Sequence, residues 1–436
     1  MNLRQALRVK SQTRLAFVGA GGKTTAMFQL AKQWKENILL TATTHLAEEQ
    51  LSLAEHHFVV ETPRDVQNVT QSDGVTLFTG SLSSEGRTRG VDSVTLEEIR
   101  KLAKTWNCPL LIEADGSRQR PLKAPADHEP VIPDFVDTVV VVAGMSGLGQ
   151  PLTPDWVHRP EQFASLTGLE PGMLVTEPAL VKLLTHPSGG LKGIPENARR
   201  VVFLNQADSV ELQSHAQGMA KALLSGFDGV GIASLVQGEV FALHEKIAGI
   251  VLAGGASRRL GQPKQLLDWQ GKPLVRHVAE MALAAGLSPV VVVTGAFSDA
   301  IGVALEGLPV RMVKNEAWED GQSTSVQAGL RALPLEVGGA VFMLVDQPWV
   351  SPFLVQALIE EHARLLAPIV APLIDQQRGN PVLFDRVTFS DFEGLRGDVG
   401  ARPLFARYRP VWVPWHDPRA LLDVDTLEDY QRLLAG

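Results

Sequence analysis

Short runs of apolar, largely β-branched residues recur along the chain at 15–18, 38–40, 110–112, 139–143 and 201–205. Each is continuously apolar rather than alternating, which predicts a strand buried on both faces. Stretches with helical spacing and good helix formers, such as 25–34 and 96–106, separate several of these runs. Strand and helix in alternation predict a parallel sheet covered by helices, the doubly wound α/β pattern. The pattern then restarts. After a short connecting segment at 238–246, residues 247–252 open a new strand that runs into a glycine-rich turn, and further apolar runs follow at 290–294, 310–313, 340–345 and 369–371. The expected organisation is α/β throughout, with two doubly wound, mainly parallel-sheet domains at 1–244 and 245–436.

The 436 residues suit two large domains or three smaller ones at roughly 150 residues each. With 45% hydrophobic and 20% charged residues, there is ample material for packed cores and no signature of disorder. Forty basic against forty-eight acidic side chains give a net charge of −8, which argues against a nucleic-acid partner. The single cysteine, Cys108, excludes a disulfide framework and a multi-thiolate metal site and reads as a small buried hydrophobe. The first seventeen residues lack a signal-peptide apolar stretch, and no window approaches the ~18 uncharged apolar residues of a membrane span. The expectation is a soluble, cytoplasmic protein with no membrane partner and no repeat architecture.

The most specific chemistry lies at 252–264, LAGGASRRLGQPK. Gly254 and Gly255, directly after Leu252 and Ala253 of a strand, let backbone N–H groups approach an anion that a Cβ would hold away. Ser257, Arg259 and Lys264 add a hydroxyl and two cations suited to a triphosphate and to the charge that builds as pyrophosphate leaves. Asp346, in FMLVDQP, stands at the carboxyl end of a predicted buried strand, where open α/β sheets bind ligands, and is suited either to hold Mg²⁺ against phosphate oxygens or to cap the turn before Pro348. Asp423 and Asp425 alternate in LDVDTLED, so one is a candidate second metal ligand. The other, or Thr426 paired with Asp429, is equally suited to capping a helix.

These residues resemble the molybdenum cofactor nucleotidyltransferases, a MobA-like family, with Leu260 where methionine is commoner. The segments NEAWEDGQSTS from Asn315 through Trp318 and Ser323, RGNPVLF from Arg378 and GDVGAR from Gly397 are similar to its cytidylyltransferase, MocA-like branch, over essentially all of 247–436. The resemblance implies a Rossmann-like fold and Mg²⁺-dependent transfer of CMP from CTP to molybdopterin or Mo-molybdopterin. Arg259, Lys264 and Asp346 would be catalytic, with nucleotide contacts from Leu252, Ala253, Gly254, Gly255, Ser257, Asn315 and Ser323. CTP-selective members often read alanine where Gly254 stands, so GTP is the alternative donor.

In the first half, Gly19-Ala-Gly21-Gly22-Lys23-Thr24-Thr25 follows a strand and enters a predicted helix. Backbone amides and the helix N-terminus would cradle phosphates, Lys23 would reach the terminal ones and Thr24 would bind Mg²⁺. A standard Walker spacing requires glycine where Phe17 stands, and the shorter form is similar to that of the Mur ligase class. Glu113 and Asp115 end another apolar run, as a Walker B position would, making Asp115 a candidate metal ligand. His45 in TATTH fits the same site or is a hydrogen-bonded structural histidine. Arg118, Arg120 and Lys123 suit either an anionic substrate or a solvated loop. GAGGKTT, TATTH, IEADGSRQRPLKAPADHEPVIP and VVVAGMSGLGQPLTPDWVHRPE closely resemble the selenium cofactor biosynthesis accessory family YqeC over residues 10–240, which implies a P-loop-like domain binding ATP or GTP.

The combined expectation is a two-domain accessory enzyme for molybdenum hydroxylases. A nucleotide-using first half would serve sulfur or selenium loading or delivery to the apoenzyme. The alternatives are an NTP-switched cofactor carrier without nucleotidyl transfer and a sugar-1-phosphate nucleotidyltransferase.

Overall fold

The computed structural model describes residues 1–84, 86–257 and 260–435. The chain separates into two compact units, Met1–His244 and Glu245–Gly436. In the first, nine strands form one sheet: β1 (Arg14–Gly19), β2 (Ile38–Ala42), β3 (His56–Val59), β4 (Val75–Thr79), β5 (Leu110–Glu113), β6 (Thr138–Gly144), β7 (Arg199–Asn205), β8 (Gly229–Ser234) and β9 (Glu239–Glu245). Their order is β9-β8-β7-β6-β1-β5-β2-β4-β3, and every ladder from β8 to β3 is parallel. Strands β2, β5 and β6 are buried along their whole length, and TVVVVAG in β6 accordingly carries no alternation.

The second sheet is mixed. Its strands are β10 (Ile247–Ala253), β11 (Val290–Thr294), β12 (Arg311–Lys314), β13 (Gly339–Leu344), β14 (Ile369–Ile374), β15 (Gln377–Arg378), β16 (Val382–Asp385) and β17 (Val411–Trp415). The order is β12-β11-β10-β13-β16-β14-β15, with β17 on the free side of β14. β12 through β13 are parallel, whereas β16 and β15 run antiparallel to their neighbours. β10 and β1 each lie between two parallel neighbours, so the loops after them emerge at the carboxyl edge where ligands bind in such sheets.

Two expectations need correction. The segment 238–246 is not a mere connector, because β9 occupies it, with Val240, Leu243 and Glu245 buried at irregular spacing that gives no clean period. Strands β3, β8 and β17 lack a continuous apolar run, whereas β4 and β16 carry short ones, VTLF and VLF, outside the runs named above. The helix expected from 96 begins at Ser93, because Asp92 accepts from Thr95 N at 2.8 Å and sets its start, and the helix expected from 25 begins at Lys23, directly after the glycine turn. Burial pushes the Cys108 thiol up to about 11 despite nearby Arg14. Among the described residues no helix is long and apolar enough to cross a membrane.

Phe342, Phe384 and Phe392 form the aromatic centre of one layer of the second unit, with centroids 5.1 to 5.6 Å apart. Phe392→Ala is expected to lower the stability of that unit by about 3–5 kcal/mol, read as a shift of its transition in urea unfolding.

Candidate functional site

β10 ends at Ala253, and the chain turns through Gly254 and Gly255 into Ser257, which has a left-handed φ of +54°. Gln265, 1% exposed, braces this turn from within. Its Nε2 donates to the carbonyls of Ala253 and Gly255 at 3.0 and 2.7 Å, and its Oε1 accepts from Ser257 Oγ at 3.2 Å. Ser257 Oγ in turn accepts from Lys264 N at 3.0 Å. The backbone of the turn is thereby held by side chains, leaving its outer surface to a ligand.

Lys264 Nζ donates to Asp346 Oδ2 and, at 3.2 Å, to Asp425 Oδ1. Asp346 lies just beyond β13, and its carbonyl accepts from Val424 N at 2.9 Å, which ties the Asp423–Asp425 segment to the strand end. Burial works against the Lys264 ammonium, but the attraction of Asp346 and Asp425 outweighs it and raises its pKa above the ordinary lysine value. Asp423 is held apart from Lys264, its Oδ1 accepting from Gln347 Nε2 at 2.7 Å. Burial raises its pKa, with Gln347 opposing and the neighbouring Asp346 and Asp425 adding to the rise. Thr426 and Asp429 exchange bonds at the following helix start, the capping role open to them in the sequence.

Asn315, after β12, donates through Nδ2 to Thr324 Oγ1 at 2.8 Å and Ser325 Oγ at 3.0 Å, joining the strand end to the helix Gln322–Arg331. Ser323 N donates to the Gly397 carbonyl at 3.1 Å, while its buried hydroxyl has no hydrogen-bond partner among the described residues. Gly295 is a forced choice with no cue in the local pattern of residues to single it out. A Cβ there would lie 2.4 Å from the Gly254 carbonyl and 2.8 Å from Trp318 Cβ, so the β11 end and the glycine turn meet backbone to backbone. Arg259 lies outside the described residues.

In the first unit, β1 runs through Gly19 and Gly21 into the helix Lys23–Gln33. Its N-cap is Gly22, at φ +125°, where a Cβ would lie 2.4 Å from Asn205 Nδ2. Asn205 donates to the Gly21 carbonyl at 2.6 Å and pins the loop to the end of β7. No side chain caps the helix, and the first N–H groups of any α-helix, here at Lys23, Thr24 and Thr25, lack intrahelical acceptors. Lys23 Nζ donates to the Gly19 carbonyl at 2.8 Å and sits 3.3 Å from Asp115 Oδ1 and 3.9 Å from Glu113 Oε1. Thr24 Oγ1 donates to Glu113 Oε2 at 2.6 Å, and Gly19 N donates to Asp115 Oδ2 at 3.0 Å. Burial raises the Glu113 pKa, opposed by Lys23 and Thr24.

Lys123 belongs to this cluster rather than to a solvated loop. The paired segments Leu122–Lys123 and Val157–His158 bring it inward, 7% exposed. Its ammonium is engaged by Asp115 Oδ2 at 2.7 Å, Gly116 O at 2.6 Å and Glu129 Oε2 at 2.8 Å. Arg159 grips Glu129 with both terminal nitrogens, at 2.8 and 3.2 Å. His45 is turned elsewhere, its Nδ1 bonded to the Thr88 carbonyl at 2.7 Å. Among the described residues no group of three or more His, Cys, Asp or Glu side chains is arranged to hold a metal ion. In both units a lysine ammonium occupies the space where the carboxylates converge.

Residues 15–161 match the YqeC protein family, and residues 249–411 match the MobA-like NTP transferase domain. An uncharacterized YqeC protein of Escherichia coli K12 is 37% identical over 207 residues, covering 46% of this chain and 79% of that protein. Nicotine blue oxidoreductase of Paenarthrobacter nicotinovorans is 34% identical over 206 residues, 43% of this chain and 96% of the relative. A probable molybdenum cofactor guanylyltransferase of Natronomonas pharaonis is 33% identical over 113 residues, 26% of this chain and 55% of the relative.

Burial would raise the Glu129 pKa, but the bonds from Arg159 and Lys123 win and hold it down to about 2 against an ordinary 4.5. The stabilisation this confers is complete above about pH 4.5 and is lost as pH falls toward 2. Glu129→Gln is expected to flatten that part of the acid limb of the first unit, as measured by urea unfolding at stepped pH.

Proposed function

Because the chain belongs to the YqeC family through its first half and to the MobA-like NTP transferase family through its second, which makes it an enzyme of nucleotidyltransferase type, we propose that it transfers CMP from CTP to molybdopterin or its molybdenum-loaded form. The observation that carries this proposal is Lys264, fixed beside the braced Gly254-Gly255 turn by two carboxylates from separate segments. The terminal phosphate of the pterin is already an anionic nucleophile. Its oxygen bonds to the α-phosphorus of the triphosphate, the bond from that phosphorus to the bridging oxygen breaks, and pyrophosphate leaves. No strong base is required, so position and charge neutralisation set the rate.

Lys264 supplies charge to the leaving pyrophosphate, and the glycine turn offers backbone donors to the triphosphate. Asp346 Oδ1 is buried with no hydrogen-bond partner among the described residues, and with Asp425 it forms a hard-oxygen pair that suits Mg²⁺, which when bound would lower the charge of the triphosphate. Magnesium commonly takes one or two carboxylates and completes its shell with phosphate oxygens and water, so two aspartates suffice. The name of the Paenarthrobacter relative denotes redox chemistry, but a glycine turn with the Lys264 ammonium beside it, and carboxylates able to hold a divalent cation, support phosphate handling here. GTP as donor is the second reading, favoured by Gly254, where an alanine Cβ would come within 3.1 Å of Ser325 Oγ.

For the first unit we propose binding of ATP or GTP with Mg²⁺ at Gly19–Thr25, in support of sulfur or selenium loading or of delivery to a molybdenum hydroxylase. The uncapped helix start, the Lys23 ammonium and the Thr24 hydroxyl beside Glu113 and Asp115 support it.

With Mg²⁺ and molybdopterin, pyrophosphate release is expected to be faster from CTP than from GTP. Asp346→Ala should lower that rate by about 10³-fold or more. Equal rates for native and variant chains would remove Asp346 from the reaction, and no release from either nucleotide would favour a carrier instead. Lys23→Ala is expected to weaken binding of a fluorescent ATP analogue by about 10-fold or more, without touching pyrophosphate release.

A further inference from the structure

Two further loops of the first unit, one after β7 and one after β8, meet the Gly19–Thr25 loop at the carboxyl edge of the sheet. The order β8-β7-β6-β1 puts β7 two strands, about 10 Å, from β1. A ribose spans that separation between a phosphate held at Gly19–Thr25 and its base. Asn205, at the end of β7 and 1% exposed, fixes all three loops with one amide. Its Nδ2 donates to the Gly21 carbonyl at 2.6 Å, and its Oδ1 accepts from Leu235 N, just after β8, at 2.9 Å. Ala207 N donates to the Ala233 carbonyl at 3.1 Å and closes the loop after β7 onto the end of β8. Gln206 is held at a left-handed φ of +60°, its Oε1 accepting from Ser146 Oγ at 2.6 Å. A non-glycine residue kept in that region is strained, and such strain collects where ligands are positioned.

This braced frame leaves two groups open to a ligand. Asp208 is exposed, and Val236 is 77% exposed. Among the described residues no hydrogen bond or ion pair engages the Asp208 carboxylate, and no acceptor engages the Val236 N–H. The carboxylate offers two acceptor oxygens and the backbone N–H one donor. The pairing edge of guanine is their complement, with adjacent donors at N1–H and N2–H₂ and an acceptor at O6. Adenine carries an amino donor in place of O6 and an acceptor nitrogen in place of N1–H, so it would set donor against donor and a lone pair against the carboxylate.

We infer that the first unit selects a guanine nucleotide, Asp208 accepting from N1–H and N2–H₂ and Val236 N donating to O6. The inference rests on the nucleotide-binding proposal for Gly19–Thr25 and narrows it from ATP or GTP to GTP. Because Asn205 ties both base-reading loops to Gly21, base and phosphates are held by one connected frame.

Displacement of N-methylanthraniloyl-GDP from the full chain with Mg²⁺ tests this. Only the signal lost in Lys23→Ala is counted, so that nucleotide held by the second unit does not enter; Thr24→Ala replaces that control should the first variant fail to fold. GDP is expected to compete about 10-fold more strongly than ADP or better, with IDP, which lacks the N2 amino group, between them. Asp208→Asn exchanges one acceptor for an amide donor, which suits the N1–H and C2 carbonyl of xanthine. That variant should move the ratio of GDP to XDP affinity toward XDP by about 10-fold or more, a change that a merely structural aspartate would not produce. Equal competition by GDP and ADP, a preference for ADP, or an unchanged GDP-to-XDP ratio in Asp208→Asn would overturn guanine selection and leave the nucleotide site in place. No Lys23-dependent signal from this probe or from its adenine counterpart would overturn both.

Discussion

Lys264 draws together parts of the second unit that lie 82 and 161 residues away in sequence, Asp346 and Asp425. A partly buried ammonium is tolerated only where opposite charge compensates its lost hydration, so the three side chains must be positioned as a set. Around them the Gln265 bonds fix the turn, the Val424 amide fixes the Asp425 segment to the β13 end, and Gly295 lets β11 approach the turn at backbone distance. A cradle preset in this way does not reorganise when charge develops on a phosphate, which is the physical basis of electrostatic catalysis.

The first unit applies the same constraint more deeply. Lys23 and Lys123 alternate with Glu113, Asp115 and Glu129, and Arg159 closes the outer end of the series. Burial alone would make each of these charges costly, and alternation makes them mutually necessary. Lys123 spends its three donors inside the protein, so a basic residue at that position of the sequence does not by itself imply an anionic guest.

Both clusters stand beyond the carboxyl ends of central parallel strands, β1 and β5 in one sheet and β10 and β13 in the other. Parallel connection returns the chain from the opposite edge each time, so all the loops following these strands gather at one edge and bring distant residues together. A glycine turn after the first strand and a carboxylate after a later one meet there in each unit.

The sequence by itself determined the parallel-rich α/β class, because continuous apolar runs such as β6 and β11 can only be satisfied between two helical layers. It also marked the glycine turns at Gly19–Lys23 and Gly254–Lys264, since small residues followed by a cation after a strand form a local pattern. Only the tertiary structure decided the antiparallel β15 and β16, whose pairing is set by long-range packing rather than by local period. It alone separated Asp425, at Lys264, from Asp423, at Gln347, two residues that an alternating pattern leaves equivalent. Burial of Lys123 and the bracing by Gln265 and Asn205 were equally invisible, for a hydrogen-bond partner across the fold leaves no mark on the spacing of the residue that needs it.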